Sequence, residues 1–445
     1  MTKIISKSAL IGWLAAALLA GVPARGQQNP PQTGAPLRLT LQDALAHARR
    51  NSVAYQAAVT DAGVAHEDKK QALDALLPSV NYNNSAIYSE GGGPNGGPVK
   101  FIANNAVHEY FSQGNVHQTL DLAGIADFRR LGAAAAVAKA RAEIASRGLV
   151  VTVVGSYYAV AAAQLKLESS ERAAEEGERF FKLTQDLEHG GEVAHSDVIK
   201  AELQMNDRRR QLQEAKLRVL NTRADLAVLI FPTFSDNFEL AEDLHAAVPL
   251  PALPEVQRRA ALENPDIRAA PEAVSEAGHE VAASRAGYLP SLSVDYFYGI
   301  DATHFATRTD GFSNLGSSVV ATLNIPIWNW GATQSRVKQA ELRRDQSKRE
   351  LSLAQRKLLA DLQNLYAEAD TASSELASLA RSAELSKESL RLTTLRYKDG
   401  ESTVLEVVDA QTTATVADAA YQDGAVRYRL ALANLQTLTG VLTTP

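Results

Sequence analysis

Residues 332–397 contain no proline and carry apolar residues in heptads. Leu351, Leu358, Leu365, Ala372 and Leu379 stand seven apart, and Leu362, Ala369, Leu376, Ala383 and Leu390 form a second row four residues after the first. This 3–4 spacing is the signature of helices packed as a coiled coil, and the alternation of Leu with Ala points to close approach of the partners. An unbroken helix of that extent would be roughly 100 Å long, far more than the core of a globular domain needs. The helix expected to close the chain, 403–440, would be roughly 57 Å. One long helix therefore needs two shorter ones end to end as its partners, and a first helical region together with the closing helix supplies that length.

The pattern occurs twice. Leu77-Pro78-Ser79 recurs as Leu289-Pro290-Ser291, and the stretch Ala44 to Asn51 is echoed by Val256 to Asn264. Leu120-Asp121-Leu122-Ala123-Gly124 corresponds to Ile327-Trp328-Asn329-Trp330-Gly331, and Asp197-Val198-Ile199-Lys200-Ala201-Glu202 to Glu406-Val407-Val408-Asp409-Ala410-Gln411, with Gly191 and Gly400 just upstream. Anchors in one order at nearly one offset mean a duplicated unit. The expected repeats are 37–231 and 249–440, joined by a linker at 232–253 and followed by a tail at 441–445. Each reads as a first helical region (40–76, 254–288), two strands, a long helix (125–187, 332–397) and a shorter helix (193–230, 403–440). Thr40 with Asp43 reads as a capping box opening the first helix. Asn51-Ser52 and Asn264-Pro265 interrupt the first helical regions at equivalent places.

The strands are the second constraint. Leu292, Val294, Tyr296 and Tyr298 alternate with Ser293 and Asp295; Val319, Ala321, Leu323 and Ile325 alternate with Thr322 and Asn324; Val80, Tyr82, Ala86 and Tyr88 alternate with Asn81, Asn83 and Ser85. Period-2 patterning with tyrosines is what a membrane β-barrel shows. Four strands cannot close a barrel alone, and open edges are not tolerated in lipid, so several chains must pool them. Gly91 to Pro98 and Asp301 to Gly311 would then be outer loops. A half-buried soluble sheet is the competing reading, and the isolation of two hairpins between enormous helices weighs against it.

The N-terminus reads as a secretory signal peptide, residues 1–24: Lys3 and Lys7, an apolar run from Ala9 to Ala20, and small residues before the cut at Val22-Pro23-Ala24. Residues 25–36 read as a flexible, Pro-rich lead-in. Leu149 to Ala163 is uncharged but too short to span a bilayer and reads as a buried helix segment. The 445 residues include no cysteine, which removes disulfides, thiol catalysis and Cys-based metal sites. Lys plus Arg number 45 against 51 Asp plus Glu, a net charge of −6 and a poor balance for a nucleic-acid binder. Gly311-Phe312-Ser313-Asn314-Leu315 lacks the last Gly of a nucleophile elbow, and the glycine run at 91 lacks the Lys-Ser/Thr of a phosphate-binding loop. No enzyme activity, cofactor or metal is expected. His189 and His195, near one turn, read as surface histidines.

Arg396-Tyr397-Lys398-Asp399-Gly400 followed by Leu405-Glu406-Val407-Val408-Asp409-Ala410-Gln411 resembles the TolC-like outer-membrane efflux proteins. So do the Leu-Pro pairs before the first strands and Ile325-Pro326-Ile327-Trp328-Asn329-Trp330-Gly331 after the last. The resemblance covers nearly the whole chain beyond the signal peptide. It implies a mainly α protein with a small β part. Long coiled-coil helices would form a trimeric periplasmic α-barrel, and four strands per chain would contribute to a shared twelve-stranded transmembrane β-barrel in the outer membrane. It implies the passive exit duct of a tripartite efflux or type I secretion system, with a periplasmic adaptor, an inner-membrane pump and outer-membrane lipid as partners. By the same resemblance Glu406 and Asp409 fall where the family constricts its pore, and Asp197 and Tyr397 where it links neighbouring hairpins. Gly191, Glu192, Gly400 and Glu401 fall at the adaptor-contacting tips. Ser402 stands where a basic linking residue can sit, and Glu192 where an apolar residue is common. Read without the resemblance, Glu406 and Asp409 are acids of an ordinary solvated helix start. A periplasmic coiled-coil scaffold that never enters the membrane is the alternative in another class. A permanently open porin would leave the long helices without purpose.

Overall fold

The computed structural model describes residues 37–88, 108–234, 237–241 and 248–442. The expected signal peptide, the lead-in and the outer loop at Gly91 to Pro98 lie outside the described residues, as do parts of the inter-repeat linker and the last residues of the tail. The first half holds β1 (Leu37–Leu39), α1 (Leu41–Asn51), α2 (Val53–Asp74), β2 (Ser79–Tyr88), β3 (His108–Leu120), α3 (Leu122–His189) and α4 (His195–Ile230). The second holds β4 (Phe238–Leu240), α5 (Leu253–Glu263), α6 (Pro265–Ala286), β5 (Ser291–Ala302), the two-residue strands β6 (Arg308–Thr309) and β7 (Phe312–Ser313), β8 (Leu315–Asn324), α7 (Ala332–Lys398) and α8 (Val404–Leu438).

Both first helical regions break at one extended residue. Ser52 ends α1 and starts α2, its side chain accepting from Tyr55 N; Asn264 ends α5 and starts α6, accepting from Asp266 N and Ile267 N. The break has a use. Asn51 Nδ2 donates to the carbonyl of Ile230 at 2.6 Å, and Asn264 Nδ2 to that of Leu438 at 3.0 Å. Each interruption thus satisfies an orphan carbonyl at the end of its repeat's closing helix, where no intrahelical donor remains. This is how two shorter helices meet end to end beside a long one. The Thr40–Asp43 capping box is formed in both directions.

The helices pack side by side. α3 runs through the middle, with α2 and α4 packed on one side and α6 and α8 on the other; α7 packs on α6 and α8 and forms the far flank. The sequence gives no sign of β1 and β4, which pair in parallel, Leu37 to Phe238 through Leu39 to Leu240. Two three-residue strands on either side of a long insertion carry no periodicity to detect. They cover the main core, where Val150, Val153, Val154, Tyr157 and Val160 of α3 meet Leu39, Leu45, Leu226, Ile230 and Phe238. Tyr157 OH donates to Leu39 O at 3.1 Å. By length and composition α3 is the one helix among the described residues able to cross a membrane. Its apolar stretch is nevertheless this core, in line with the buried segment expected at Leu149 to Ala163.

The strands form a separate antiparallel sheet in the order β2-β3-β5-β8. β3 is regular over 13 residues although its sequence alternates poorly. β6 and β7 pair across the turn Asp310-Gly311, both with positive φ, so the expected loop from Asp301 to Gly311 contains a small hairpin.

Candidate functional site: an uncovered sheet and two helical tips

Register sorts the sheet's side chains. Val80, Val116, Tyr296 and Val319 lie side by side across the four strands on one face; one residue along, Asn81, Asn115, Phe297 and Ser318 lie on the other. The second face carries polar contacts. His117 Nδ1 is 2.8 Å from Asp295 Oδ1, and Asn115 Nδ2 donates to the same oxygen at 3.2 Å. The apolar face is bare: Val80, Tyr296, Tyr298, Val319 and Leu323 are all exposed, and β2 and β8 are exposed along their whole length. A sheet in water buries at least one face; this one leaves most of both faces open in the single chain, with Ser112 and Asn115 of β3 its buried side chains among the described residues. Each of β2 and β8 has 10 residues, the length that crosses a bilayer when tilted. Neither has a ladder partner on its outer edge among the described residues. Directly after β8, Trp328 and Trp330 stand exposed with ring centroids 5.9 Å apart, edge to face.

The other end consists of two helical hairpins, α3–α4 and α7–α8, whose turns are superimposable in their bonding. Gly191 N donates to Glu188 O and Glu192 N to Leu187 O; Gly400 N donates to Tyr397 O and Glu401 N to Arg396 O. Gly191 and Gly400 share φ of +75°. That is the left-handed conformation which closes a helix C-terminus and which a side chain disfavours. Both glycines, Glu192 and Glu401 are exposed.

Between the turns a small core joins the hairpins: Phe180 of α3, Ala201 of α4, Tyr397 of α7, and Val404 and Val407 of α8. Tyr397 and Phe180 stack tilted at 5.3 Å between centroids. Burial pushes the Tyr397 phenol above its ordinary pKa; Thr184 opposes and the nearby Asp197 charge adds to the rise. Asp197 and Tyr397 are therefore neighbours within one chain, and Asp197 also pairs with Lys200 at 3.2 Å. Ser402 Oγ donates to Thr393 O at 3.2 Å, so it serves its own turn.

Glu406 closes a capping box with Thr403, accepting from the Thr403 amide at 3.2 Å and lying 3.9 Å from Arg396 Nη1. The local helix-start role is thus present, and the carboxylate stays exposed. Asp409, one turn on, is exposed too. Near the first tip His195 Nδ1 meets Glu188 Oε1 at 2.6 Å and His189 Nδ1 meets Gln185 O at 2.7 Å. Among the described residues there is no group of three or more metal-ligating side chains.

One cluster had no signal in the sequence. Asp418 of α8 is buried; its Oδ2 accepts from Ser169 at 2.8 Å and Arg172 at 3.0 Å, and Lys387 meets Oδ1 at 3.0 Å. Burial alone would raise its carboxyl, but Ser169, Lys387 and Arg172 outweigh that and hold it below the usual range. Its partners come from α3 and α7, far away in sequence, so no spacing rule links them.

The pattern of the family described as "Outer membrane efflux protein" matches residues 256–441. The outer membrane protein OprJ of Pseudomonas aeruginosa is 26% identical over 236 residues, 53% of this chain and 47% of that protein. The outer membrane protein TolC of Vibrio cholerae is 23% identical over 310 residues, 66% of this chain and 68% of that one. The sequence match thus spans about half the length of the first and two thirds of the second. Among solved structures, the CmeC outer membrane channel of Campylobacter jejuni superposes with a TM-score of 0.78 at 17% identity, covering 90% of this chain and 85% of that one. The open-state MtrE outer membrane channel of Neisseria gonorrhoeae gives 0.77 at 22% identity, covering 90% and 89%. At such identity these structures speak for the fold. They agree with a mainly helical chain carrying a small sheet, and every relative named is described as an outer membrane protein or channel. The second half of the chain thus resembles the outer membrane efflux protein family in sequence, and its described residues share the fold of outer membrane channels.

Proposed function

We propose that three copies of this chain form a passive exit duct of a tripartite efflux or type I secretion system. The observation that carries the reading is the agreement of two sets of open flanks. The sheet ends at β2 and β8. The helix layer ends at α2 with α4 on one side and at α7 on the other. β2 follows α2 and β8 precedes α7 in the chain, so both layers are open on the same two sides. An open edge in lipid leaves backbone groups without partners, at several kcal/mol each; pairing β8 of one copy with β2 of the next removes every edge when the ring closes. Twelve strands result from three copies. The bare apolar face then meets lipid, the polar face meets a water-filled lumen, and Trp328 and Trp330 sit where an aromatic girdle marks the membrane boundary.

In this reading the repeats 37–231 and 249–440 each give one strand pair and one hairpin. The hairpins converge away from the membrane. Glu406 and Asp409 ring the constriction, Asp197 and Tyr397 help hold hairpins together when it is closed, and the turns at Gly191, Glu192, Gly400 and Glu401 meet an adaptor that couples the duct to an inner-membrane pump. The duct performs no reaction; the pump supplies the energy. Purified protein in a planar bilayer tests this. Discrete ohmic conductance steps without nucleotide are expected, and a protein that inserts but never conducts would refute the duct.

A further inference from the structure

Between the tips and the main core, residues of α3, α4, α7 and α8 line an open-sided cavity of about 180 Å³. Four cations line it, Arg172, Arg179, Arg208 and Lys387, against two carboxylates, Glu176 and Asp418. The carboxylates are already engaged: Asp418 by Arg172 and Lys387, Glu176 by Arg179 at 2.8 Å. Arg208 is left over. It is 6% exposed, and its partners are neutral amides. Its Nη1 donates to Gln211 Oε1 at 3.2 Å, and Gln204, turned so that its oxygen faces the guanidinium, accepts at 3.0 and 3.2 Å. The acid whose charge reaches it, Asp207, gives its own oxygens to Arg210 and Gln211. On the same cavity lies Gln411, 4% exposed, with neither amide atom hydrogen-bonded. A buried cation without a counter-ion and a buried amide without partners are both costly. They are costly in one place.

We infer that Arg208 and Gln411 form a binding site for a small protonated oxyanion of the hydrogen-phosphate type. Its negative charge answers Arg208, and Arg172 and Lys387 at the rim add to the positive field. Its oxygens accept from the guanidinium and from Gln411 Nε2. Its remaining O–H donates to Gln411 Oε1, which a fully deprotonated ion such as sulfate cannot do. An ion held there touches α4 of one hairpin and α8 of the other, so occupancy ties the two hairpins of a chain together above their tips.

The test is calorimetric titration of the full chain, purified in detergent, with inorganic phosphate, and with sulfate and chloride at matched ionic strength. One phosphate per chain is expected, with sulfate at least tenfold weaker and chloride inert, and phosphate should raise the thermal midpoint. Arg208→Gln should remove phosphate binding. Should that variant fold poorly, Gln411→Leu is the second arm: it exchanges an unpartnered amide for an apolar group. Gln411→Leu should be at least as stable as the wild type without phosphate and should bind phosphate at least tenfold more weakly. Absence of phosphate binding in the wild type, undiminished binding in Gln411→Leu, or a response to glucose 6-phosphate without one to inorganic phosphate would each overturn the site.

Discussion

The two long helices have nearly the same length, 68 and 67 residues, and the same place in their repeats, but they are covered very differently. α3 buries seventeen residues, among them Val150, Val153, Val154, Tyr157 and Phe180; α7 buries eight, mostly Ala, Ser and Thr with Leu362 and Tyr397. The difference comes from position. α3 has neighbours on both sides, α7 on one. Yet α7 is not a polar flank: Leu342, Leu353, Leu359, Leu385, Leu392 and Leu395 are all exposed. Leu385 and Leu392 stand seven apart and two residues after Ala383 and Leu390 of the seam, which turns them to the opposite side of the helix. α4, on the other flank, exposes Ile199, Leu203, Leu217 and Leu220 at heptad-compatible spacing. A helix with two apolar stripes and neighbours on one side only has material for a second interface. The comparison is thus between a helix covered on both sides within one chain and one covered on a single side.

The largest expected effect is in the seam shared by α7 and α8. Leu365 packs against the cluster of Leu362, Val256 and Leu435. Leu365→Asp puts an unpaired charge there and should cost at least about 3 kcal/mol, with loss of folded protein in membrane extracts. Lys348→Asp, on the exposed face, should stay within about 0.5 kcal/mol. Equal yields would mean that the seam is misassigned.

The second test separates the two stripes. Leu385→Lys with Leu392→Lys should leave the single chain folded and weaken association by about 1.5–3 kcal/mol per leucine, seen as smaller particles by light scattering in detergent. Val151→Lys, on the exposed side of α3, should leave particle size unchanged. If both variants behave alike, the distinction between the helices has no bearing on assembly.

How much of this was legible in the sequence follows the range of each interaction. The heptads, the Thr40–Asp43 box, the breaks at Ser52 and Asn264 and the tip glycines are set within a few residues, and each is visible as a pattern. Of the four strands of the main sheet, β2, β5 and β8 show their period. What is set by contacts far apart in the chain left no trace: the β1–β4 pairing, the Asp418 cluster, and the cavity at Arg208 and Gln411. Glu406 shows the same boundary within one residue. Its capping box could be read from Thr403-Val404-Leu405-Glu406, whereas whether its free oxygens also face a pore depends on other copies.

Asp418 ties α8 to α3 and α7 on the interior side of the comparison. Its folded pKa lies below the ordinary value, so the stability it contributes is present above its unfolded pKa of about 4 and is lost as pH falls through the lower folded value. Asp418→Asn should cost about 1–3 kcal/mol at neutral pH and flatten the loss of thermal stability below about pH 4. An equally steep acid decline in wild type and variant would count against the network.

The smallest effect on stability is expected at the tip. Glu406→Gln keeps a side chain able to complete the capping box, and Asp409→Asn removes the second charge. The pair should change stability by less than about 1 kcal/mol while lowering cation selectivity and block by a trivalent cation in single-channel recordings. Unchanged selectivity would leave Glu406 with its helix-capping role alone.

The claim on which the rest depends is that one chain is an incomplete wedge with two open flanks, β2 with α2 and α4 on one side and β8 with α7 on the other, each closed by the opposite flank of an identical copy. Native mass spectrometry of the detergent-extracted complex measures that directly. The account predicts a single species of three chains, dissociating without stable dimers on the way because a two-chain intermediate keeps open edges. A stable, folded single chain in the extracted membrane fraction, or any other number of chains in the closed complex, would contradict it.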